Sequence, residues 1–236
     1  MGSLIFMKYS PVEEFSRIYK LDNFSKALTE NGKELFFKKN SVIASPGDVM
    51  EGFYFVKEGR VIASEFSPKG NERIICILEK SSIFLESNVL FNVPVFCYFK
   101  ASVDTTLVFM RKEDLLGLLS TDLNVTLFLL QSLTKKFYSN MNHIDELLYH
   151  DTEWGMCNIF LTLAENFGVE EDTKIKLNIK ISQQFISNLL GINRITTLRN
   201  IKKLKELKLI EQTNGYYYIK DIQKLRDYQT SIYTQL

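Results

Sequence analysis

Two arginines, Arg194 and Arg199, lie in a basic stretch that also has the apolar spacing of a helix, GINRITTLRNIKKLKELKLI at residues 191–210. The planar fork of an arginine can donate two hydrogen bonds to guanine O6 and N7, which face the major groove of DNA. A lysine is a compact point charge that suits phosphates, and phosphate contacts position a protein without reading sequence. The lysines of the stretch are Lys202, Lys203 and Lys205. Contact with nucleic acid is the chemistry that this pattern predicts.

The same stretch predicts which side of the helix is buried. At 100° per residue, one face is apolar and should point toward the protein. Its members are Thr197, Ile201, Leu204 and Leu207. The opposite face should be exposed and carries Ile195, Leu198, Arg199 and Lys202, with Arg194 in the first turn. We therefore expect the two arginines to contact bases and the lysines to contact phosphates.

Neighbouring residues predict a second helix and a hairpin around this one. Ser182 can cap a helix from Gln183 to Leu190, Gly191 can make a tight turn, and Asn193 can cap the basic helix. The dipeptide Asn214-Gly215 is a strong signal for a two-residue β-hairpin. Upstream, a helix that stops at Gly168 is followed by a polar loop, VEEDT, and a strand-like segment, KIKLNIKIS. Helix, turn, helix and β-wing together predict a winged helix-turn-helix.

Charge is divided unevenly along the 236 residues. Residues 1–173 contain 17 Lys and Arg against 24 Asp and Glu, a net charge of −7, and residues 174–236 contain 12 against 4, a net charge of +8. An acidic body with a basic end predicts that only the end contacts a polyanion. The three cysteines are odd in number and widely spaced, which argues against a disulfide framework. No apolar run approaches the roughly 18 residues of a membrane span, so we expect a cytoplasmic protein with no membrane contact.

The rest of the chain predicts an α+β fold. Residues 12–31 have a helical pattern, and residues 33–110 contain many short strands separated by turn signals, which favours an antiparallel sandwich or roll. A long helix follows, with residues at alternating spacings of four and three that are all apolar except Thr134. They are Leu123, Leu127, Leu130, Thr134, Phe137, Met141, Ile144 and Leu148. This period is that of a coiled-coil seam and predicts a parallel partner helix from a second copy, although part of the stripe should pack on its own β-domain.

With these parts in place, residues 20–225 resemble the cyclic-AMP receptor protein / fumarate-nitrate regulator (Crp/Fnr) family. SPGD…GFYFVKEGRVIASEFSPKGNE resembles the β-roll of that family, and SQQFISNLLGINRITTLRNIKKLKELKLI resembles its helix-turn-helix. The resemblance implies three parts: an effector-sensing β-roll (jelly roll) with an N-terminal helix, a dimerisation helix and a winged helix-turn-helix. We place them at residues 8–120, 121–150 and 151–236.

The resemblance also implies a function. Family members are homodimeric transcription factors that bind double-stranded DNA at two-fold symmetric sites, and RNA polymerase is a candidate partner. A small molecule held between roll and dimer helix switches them. The expected DNA-binding residues are Ser182, Gln183, Gln184, Arg194, Ile195, Thr196, Arg199, Lys202 and Lys203. Many members carry glutamate where this chain has Ile195; a carboxylate accepts from cytosine N4, whereas isoleucine can only pack on an apolar group such as a thymine methyl. We therefore expect a different target sequence.

The expected effector site departs from the cyclic-nucleotide pattern of the family. Glu86 is retained, but Leu85 stands in place of a glycine and Cys97-Tyr98 in place of an Arg-Ser pair that holds the cyclic phosphate. Asn140-Met141 stands where those members have Thr-Ser. Burying the phosphate charge unpaired would cost several kcal/mol, so cyclic AMP is not expected. The expected effector-binding residues are Glu86, Phe96, Tyr98, Lys136, Phe137 and Asn140.

Other ways of sensing leave the cofactor unidentified. No cysteine precedes Cys76, which argues against the iron–sulfur branch of the family. His143 or His150 could bind haem, although an ordinary surface role is the simpler reading. LTKKFY at residues 133–138 resembles the branch that senses halogenated phenols, so a small aromatic anion bound by Lys135 or Lys136 is another candidate. It would occupy an apolar pocket formed by Phe84, Leu90, Phe91, Phe96, Tyr98, Phe99 and Phe137.

An enzyme is the competing class of function. A metal-dependent enzyme on a small β-barrel needs histidine and carboxylate ligands within the strands, and residues 33–110 contain no histidine. The sequence also has no phosphate-binding loop and no nucleophile elbow. We therefore expect no enzymatic activity.

Overall fold

The computed structural model of the chain describes residues 18–19 and 30–233. Its N-terminal part is a roll of two facing sheets. The strands are β1 (Ile18–Tyr19), β2 (Lys33–Phe37), β3 (Val42–Ala44), β4 (Gly52–Glu58), β5 (Val61–Phe66), β6 (Glu72–Leu78), β7 (Ile83–Phe84), β8 (Tyr98–Ala101) and β9 (Thr105–Arg111). One sheet has the order β1-β6-β5-β8-β3 and the other the order β2-β9-β4-β7.

The roll is held together by an aromatic and aliphatic core between its sheets. Phe53, Val56 and Leu107 are at most 1% exposed. Inside, the ring of Phe84 stacks on Tyr54 at 5.4 Å and on Phe99 at 5.2 Å between centroids. Because each buried aromatic side chain removes a large apolar area from water, this core is the main source of stability of the roll.

Among the described residues, three further helices belong to the N-terminal part: α1 (Glu86–Phe91), α2 (Lys112–Thr121) and α3 (Leu123–Tyr149). Asp122 separates the last two, and its side chain accepts a hydrogen bond from Asn124 N at 2.9 Å, which caps α3. The two helices meet at an angle of 114°. One face of α3 packs on the roll through Val125, Phe128 and Leu129.

The outer face of α3 carries the predicted seam. Its apolar side chains are exposed in the single chain, at 70% for Leu123, 55% for Leu130, 61% for Phe137 and 67% for Leu148. Leu127, Met141 and Ile144 are also exposed. A stripe of this length on a 27-residue helix is typical of a surface that a partner covers.

The described residues of the C-terminal part form four helices and a small sheet. Its elements are α4 (Thr152–Phe167), β10 (Gly168–Glu171), β11 (Lys174–Leu177), α5 (Gln183–Leu190), α6 (Arg194–Glu206), β12 (Ile210–Thr213), β13 (Tyr216–Ile219) and α7 (Ile222–Tyr233). The sheet has the order β10-β11-β13-β12. Asp151 caps α4 by accepting from Glu153 N and Trp154 N at 3.0 and 2.8 Å, so the predicted restart of the helix is confirmed.

The C-terminal part also packs on the roll. Ile74 and Ile77 of β6 belong to the same apolar cluster as Phe160 of α4 and Ile186 of α5. The guanidinium of Arg60 lies 4.9 Å from the centroid of the Phe167 ring. Strand β6 is therefore shared between the core of the roll and that of the helix-turn-helix.

Three local predictions differ from the structure. Ile18–Tyr19 pair in parallel with Ile77 and Leu78 as a strand, whereas a helix was expected over residues 12–31; most of that range lies outside the described residues. The segment predicted as a polar loop is largely β10, because its backbone pairs with β11 around a turn at Asp172. The strand predicted to run through KIKLNIKIS ends at Leu177.

Among the described residues, no single helix is long and apolar enough to cross a membrane; α2 and α3 meet those limits only when counted together, as a pair bent by 114°.

Candidate DNA-binding surface and effector site

Caps and a turn fix the two helices of the helix-turn-helix. Ser182 Oγ accepts from Phe185 N at 3.0 Å and begins α5, and Asn193 Oδ1 accepts from Thr196 N at 2.9 Å and begins α6. Between them Gly191 has a φ of +70°, a left-handed conformation that favours glycine. All three predicted positions are confirmed. The hydroxyl of Ser182 is engaged in the cap, which leaves its remaining lone pair and proton for other contacts.

One face of helix α6 is buried and packs against the rest of the C-terminal part. Thr197 and Leu204 are 0% exposed and Ile201 is 2% exposed, as predicted. The prediction for Leu207 is wrong, since this side chain is 46% exposed. It follows the last residue of the helix, where the chain turns toward β12, so the 100° spacing no longer applies to it.

Two buried polar contacts also hold α6 against its neighbouring helices. Thr197 Oγ1 accepts from Ser187 Oγ of α5 at 2.8 Å. Asn200 is 3% exposed and donates to the carbonyl of Thr152 at 3.0 Å, which joins α6 to the start of α4. Sequence reasoning missed Asn200, although an asparagine on the otherwise apolar inner side was a visible signal.

The outer face of α6 carries the residues predicted to contact DNA. Arg194 and Arg199 are exposed, Ile195 is 80% exposed, and Thr196 is half-buried. Within the described part of the chain, neither guanidinium forms an ion pair, so both forks face solvent. Lys202 is exposed and lies 3.7 Å from Glu206, an i,i+4 surface pair of small energy.

Two of the three lysines of α6 have partners outside that helix. Lys203 Nζ donates to Glu153 Oε2 at 2.8 Å, and this hydrogen bond raises the pKa of Lys203. The hydroxyl of Tyr228 in α7 donates to the other oxygen of Glu153. Lys205 Nζ donates to Gln212 at 3.0 Å and lies over the Tyr217 ring. These lysines therefore hold α6 to α4, β12 and β13, a role that the sequence did not predict.

The hairpin between β12 and β13 forms a basic wing. Asn214 and Gly215 have φ values of +53° and +83°, the pair of left-handed conformations that a type I′ turn requires. Beside it, Lys176 and Lys180 lie 5.0 and 5.2 Å from the centroid of the Tyr216 ring. Lys176 is paired with Glu171 at 2.7 Å, so it is the charge of Lys180 that extends the basic surface beyond α6; the sequence did not predict a role for either lysine.

The first helix adds an amide at the same surface. Gln184 is exposed and its Nε2 donates to Asn188 Oδ1 at 2.7 Å. Gln183 is half-buried, and its carbonyl accepts from Ser187 Oγ at 2.9 Å. One N–H of Gln184 is thus engaged by Asn188, and its second N–H is left for other contacts.

In the predicted effector site, Glu86 and Lys136 are brought together. Glu86 is 1% exposed at the start of α1, and Lys136 Nζ from α3 donates to its Oε1. The same ammonium donates to the Ile83 carbonyl at 2.8 Å. This ion pair connects the roll to the long helix, 50 residues away in sequence.

The other predicted effector residues do not join that pair. Phe96 and Phe137 are 67% and 61% exposed, and Asn140 is exposed. Tyr98 is half-buried against Phe66, with ring centroids 5.5 Å apart. Phe84 and Phe99 are stacked in the core, whereas Phe91 is 79% exposed. The predicted pocket of seven apolar residues is therefore not formed within the single chain, because its members divide between core and surface.

Two of the departures from the cyclic-nucleotide pattern, Leu85 and Cys97, lie in the core of the roll. Leu85 has a φ of +68°, the left-handed region where glycine is favoured, and its side chain is 3% exposed. Cys97 is 0% exposed, and burial followed by the nearby Glu65 raises the pKa of its thiol to about 12. The thiolate, which is the reactive form, is therefore scarce at neutral pH.

Both histidines are engaged within the protein. Nη2 of Arg73 lies 2.7 Å from Nε2 of His143, and a guanidinium can only donate, so the ring nitrogen accepts. His150 stacks on Trp154 with centroids 3.7 Å apart, and burial lowers its pKa. Across the described residues, no group of three or more His, Cys, Asp and Glu side chains could hold a metal ion.

Comparison with known proteins agrees with this arrangement. Residues 34–122 match the cyclic nucleotide-binding domain and residues 156–228 the Crp-like helix-turn-helix domain. The global nitrogen regulator of Nostoc sp. is 26% identical over 176 residues, which are 74% of this chain and 79% of that protein. A CRP-like cAMP-activated global transcriptional regulator of Mycobacterium tuberculosis is 22% identical over 170 residues, 72% of this chain and 76% of that protein.

Solved structures share the fold. A CooA mutant from Carboxydothermus hydrogenoformans superposes with a TM-score of 0.75 at 20% identity, over 89% of this chain and 92% of that one. CprK in complex with OCPA superposes with a TM-score of 0.70 at 16% identity, over 89% of this chain and 97% of that one.

A β-roll of the cyclic nucleotide-binding type, a long helix and a winged helix-turn-helix define a class of transcriptional regulator. In this class the sensing part and the DNA-binding part lie on the same polypeptide. The chain belongs to the Crp/Fnr family of transcriptional regulators.

Proposed function

We propose that this chain works as a cytoplasmic homodimer that binds a two-fold symmetric DNA site and regulates transcription in response to a small effector. The carrying observation is the outer face of α6, where Arg194, Ile195 and Arg199 are exposed and both guanidinium groups face solvent. Ser182, Gln183, Gln184, Thr196 and Lys202 border that face; Lys203 lies behind it. In a dimer, two such helices would enter successive major grooves about 34–36 Å apart. RNA polymerase is a candidate partner.

Ile195 is proposed to set a base preference. At 80% exposure it presents an apolar surface where a carboxylate would accept from cytosine N4. Selection of bound duplexes from a random pool should return a site with thymine at the position that Ile195 contacts. Ile195→Glu should move that preference to cytosine, with discrimination of about 1–3 kcal/mol per half-site.

A matched control is Leu198→Glu, which adds the same charge on the same helix at a 38% exposed side chain. The role of Ile195 is refuted if both substitutions change the selected site alike, or if the unmodified protein selects the same site as Ile195→Glu.

Dimerisation is proposed to cover the exposed seam of α3. Leu130→Asp should raise the dimer dissociation constant by at least about a hundredfold, because each carboxylate would be buried against its symmetry mate without a partner. Folding of the single chain should persist, since Leu130 is 55% exposed there. Sedimentation equilibrium gives the constant directly.

Gln131→Asp supplies the control, because Gln131 is exposed and lies about 100° around the helix from Leu130. Equal dimer stability in Leu130→Asp and Gln131→Asp, or a monomeric unmodified protein at micromolar concentration, contradicts dimerisation through this seam.

The effector is proposed to act between roll and α3, and cyclic AMP does not fit there. A cyclic phosphate needs a cationic partner, whereas the core positions in question hold Cys97 and the apolar Leu85, and Lys136 is paired with Glu86. A small aromatic anion would have to displace Glu86 from Lys136. Redox sensing through Cys97 is disfavoured by its raised pKa, and haem by the contacts of both histidines. Mass spectrometry of the native protein identifies what it retains.

A further inference from the structure

Three polar side chains connect the roll to the DNA-facing corner of α5. Asn188 is 9% exposed, and its Nδ2 donates to Oε2 of Glu72, the first residue of β6, at 2.7 Å. Its Oδ1 accepts from Nε2 of Gln184, one turn earlier on α5, at 2.7 Å. Gln184 is exposed at the proposed DNA-binding surface. A carboxylate of the sensing domain is thus two hydrogen bonds away from that surface.

The carboxylate fixes the direction of both hydrogen bonds. An ionised carboxylate carries acceptors only, so Asn188 has to turn its NH2 group toward Glu72. An amide has its donors and its acceptor on opposite branches, so Asn188 then offers oxygen to Gln184. Gln184 in turn has to direct its NH2 group toward Asn188, and its carbonyl oxygen points away from that contact. Without Glu72, both amides could reverse together and keep their mutual hydrogen bond.

This orientation matters for DNA because phosphate oxygens are acceptors. Amide N–H groups bind them, whereas a carbonyl oxygen does not. We propose that Glu72 is a positioning residue of the DNA-binding surface: through Asn188 it holds Gln184 in the orientation that leaves one N–H for a phosphate, whereas the reversed amide would leave two. Separation of β6 from α5 releases Gln184 to present its NH2 group. This inference rests on the proposed DNA-binding function and names a regulation of the same surface.

The other contacts of strand β6 make the hydrogen bond between Glu72 and Asn188 depend on the position of the roll. Next to Glu72, Arg73 reaches His143 of α3, so the strand contacts the long helix as well as α5. Its Ile74 shares an apolar cluster with Ile186 and Leu189 of α5. A shift of the roll relative to α3 therefore acts on the same strand that supplies the carboxylate.

The experiment compares Glu72→Ala and Gln184→Ala, singly and together, in full-length protein with a duplex of the selected sequence. Fluorescence anisotropy should show about two- to tenfold tighter binding per half-site for Glu72→Ala, the net effect of one ordinary hydrogen bond. The gain should vanish when Gln184→Ala is also present. Glu65→Ala is the control for charge alone, since Glu65 is the neighbouring acid on the β5–β6 hairpin and pairs with Arg73 at 3.6 Å.

A second measurement needs no DNA. The side-chain amide resonances of Gln184 and Asn188 in ¹H–¹⁵N spectra of the free protein should shift in Glu72→Ala and stay in place in Glu65→Ala. Unshifted resonances, or a gain in affinity that is equal with and without Gln184, overturn the role of Glu72. Failure of the unmodified protein to bind any duplex refutes the proposed function instead, and the spectra still decide the amide orientation.

Discussion

Lys136→Met should destabilise the protein by about 3–5 kcal/mol, because it leaves the carboxylate of Glu86 buried without a partner. Glu86 is 1% exposed, so water cannot replace the lost ammonium. The substitution also removes the hydrogen bond from Lys136 to the Ile83 carbonyl. Equilibrium unfolding in urea gives the free energy of unfolding for the comparison.

The double variant Glu86→Gln with Lys136→Met separates charge burial from packing. Removing both charges of a buried pair is often neutral, so the double variant should recover most of the loss. Lys57→Met, which removes the solvent-exposed ion pair of Lys57 with Glu34, is the control and should cost at most about 1 kcal/mol. A loss for Lys136→Met below about 1 kcal/mol, the range of surface pairs, would mean that the pair is solvated in solution.

Arg194→Ala and Arg199→Ala should each weaken binding to the selected duplex by about 1–3 kcal/mol per half-site while nearly sparing unrelated duplexes. The loss of affinity should be confined to the selected duplex, because the two duplexes differ in their base edges and share the same phosphate backbone. Binding titrations on both duplexes at several salt concentrations give the specificity ratio and the salt slope.

Lys202→Ala is the contrasting variant. A phosphate contact carries no sequence information, so both duplexes should weaken alike, and the salt slope should fall by about 1 per contact removed. Lys205→Ala should change neither the affinity for the two duplexes nor the salt slope, because Lys205 donates to Gln212 at 3.0 Å within the domain. Equal weakening of both duplexes by the arginine substitutions would assign the arginines to phosphates and remove the proposed basis of sequence reading.

Local signals in the sequence were sufficient for the helix-turn-helix. Ser182, Gly191 and Asn193 act on backbone groups at most a few residues away, so their roles do not depend on the rest of the fold. The buried face of α6 followed from periodicity for the same reason. Periodicity failed at Leu207, which lies beyond the end of the helix.

The ion-pair partners of the lysines in α6 could not be predicted from such local signals. Lys203 and Lys202 are adjacent in sequence, yet one pairs with Glu153 of α4 and the other with Glu206 on its own helix. Which lysine remains available for a phosphate is decided by the rotation of α6 on its domain. The aromatic residues of the expected effector pocket are a similar case, since Phe99 and Phe96 lie in one segment but face core and solvent respectively.

The sequence by itself thus determined the residues of the helix-turn-helix that cap, turn and face outward, because each depends on interactions within a few residues, and its resemblance to a known family determined the class of protein. Only the tertiary structure decided that Lys136 neutralises Glu86 and that Asn188 links Glu72 to Gln184. These contacts join residues 50 and 116 positions apart. Their existence depends on how whole elements pack, and no local pattern specifies that.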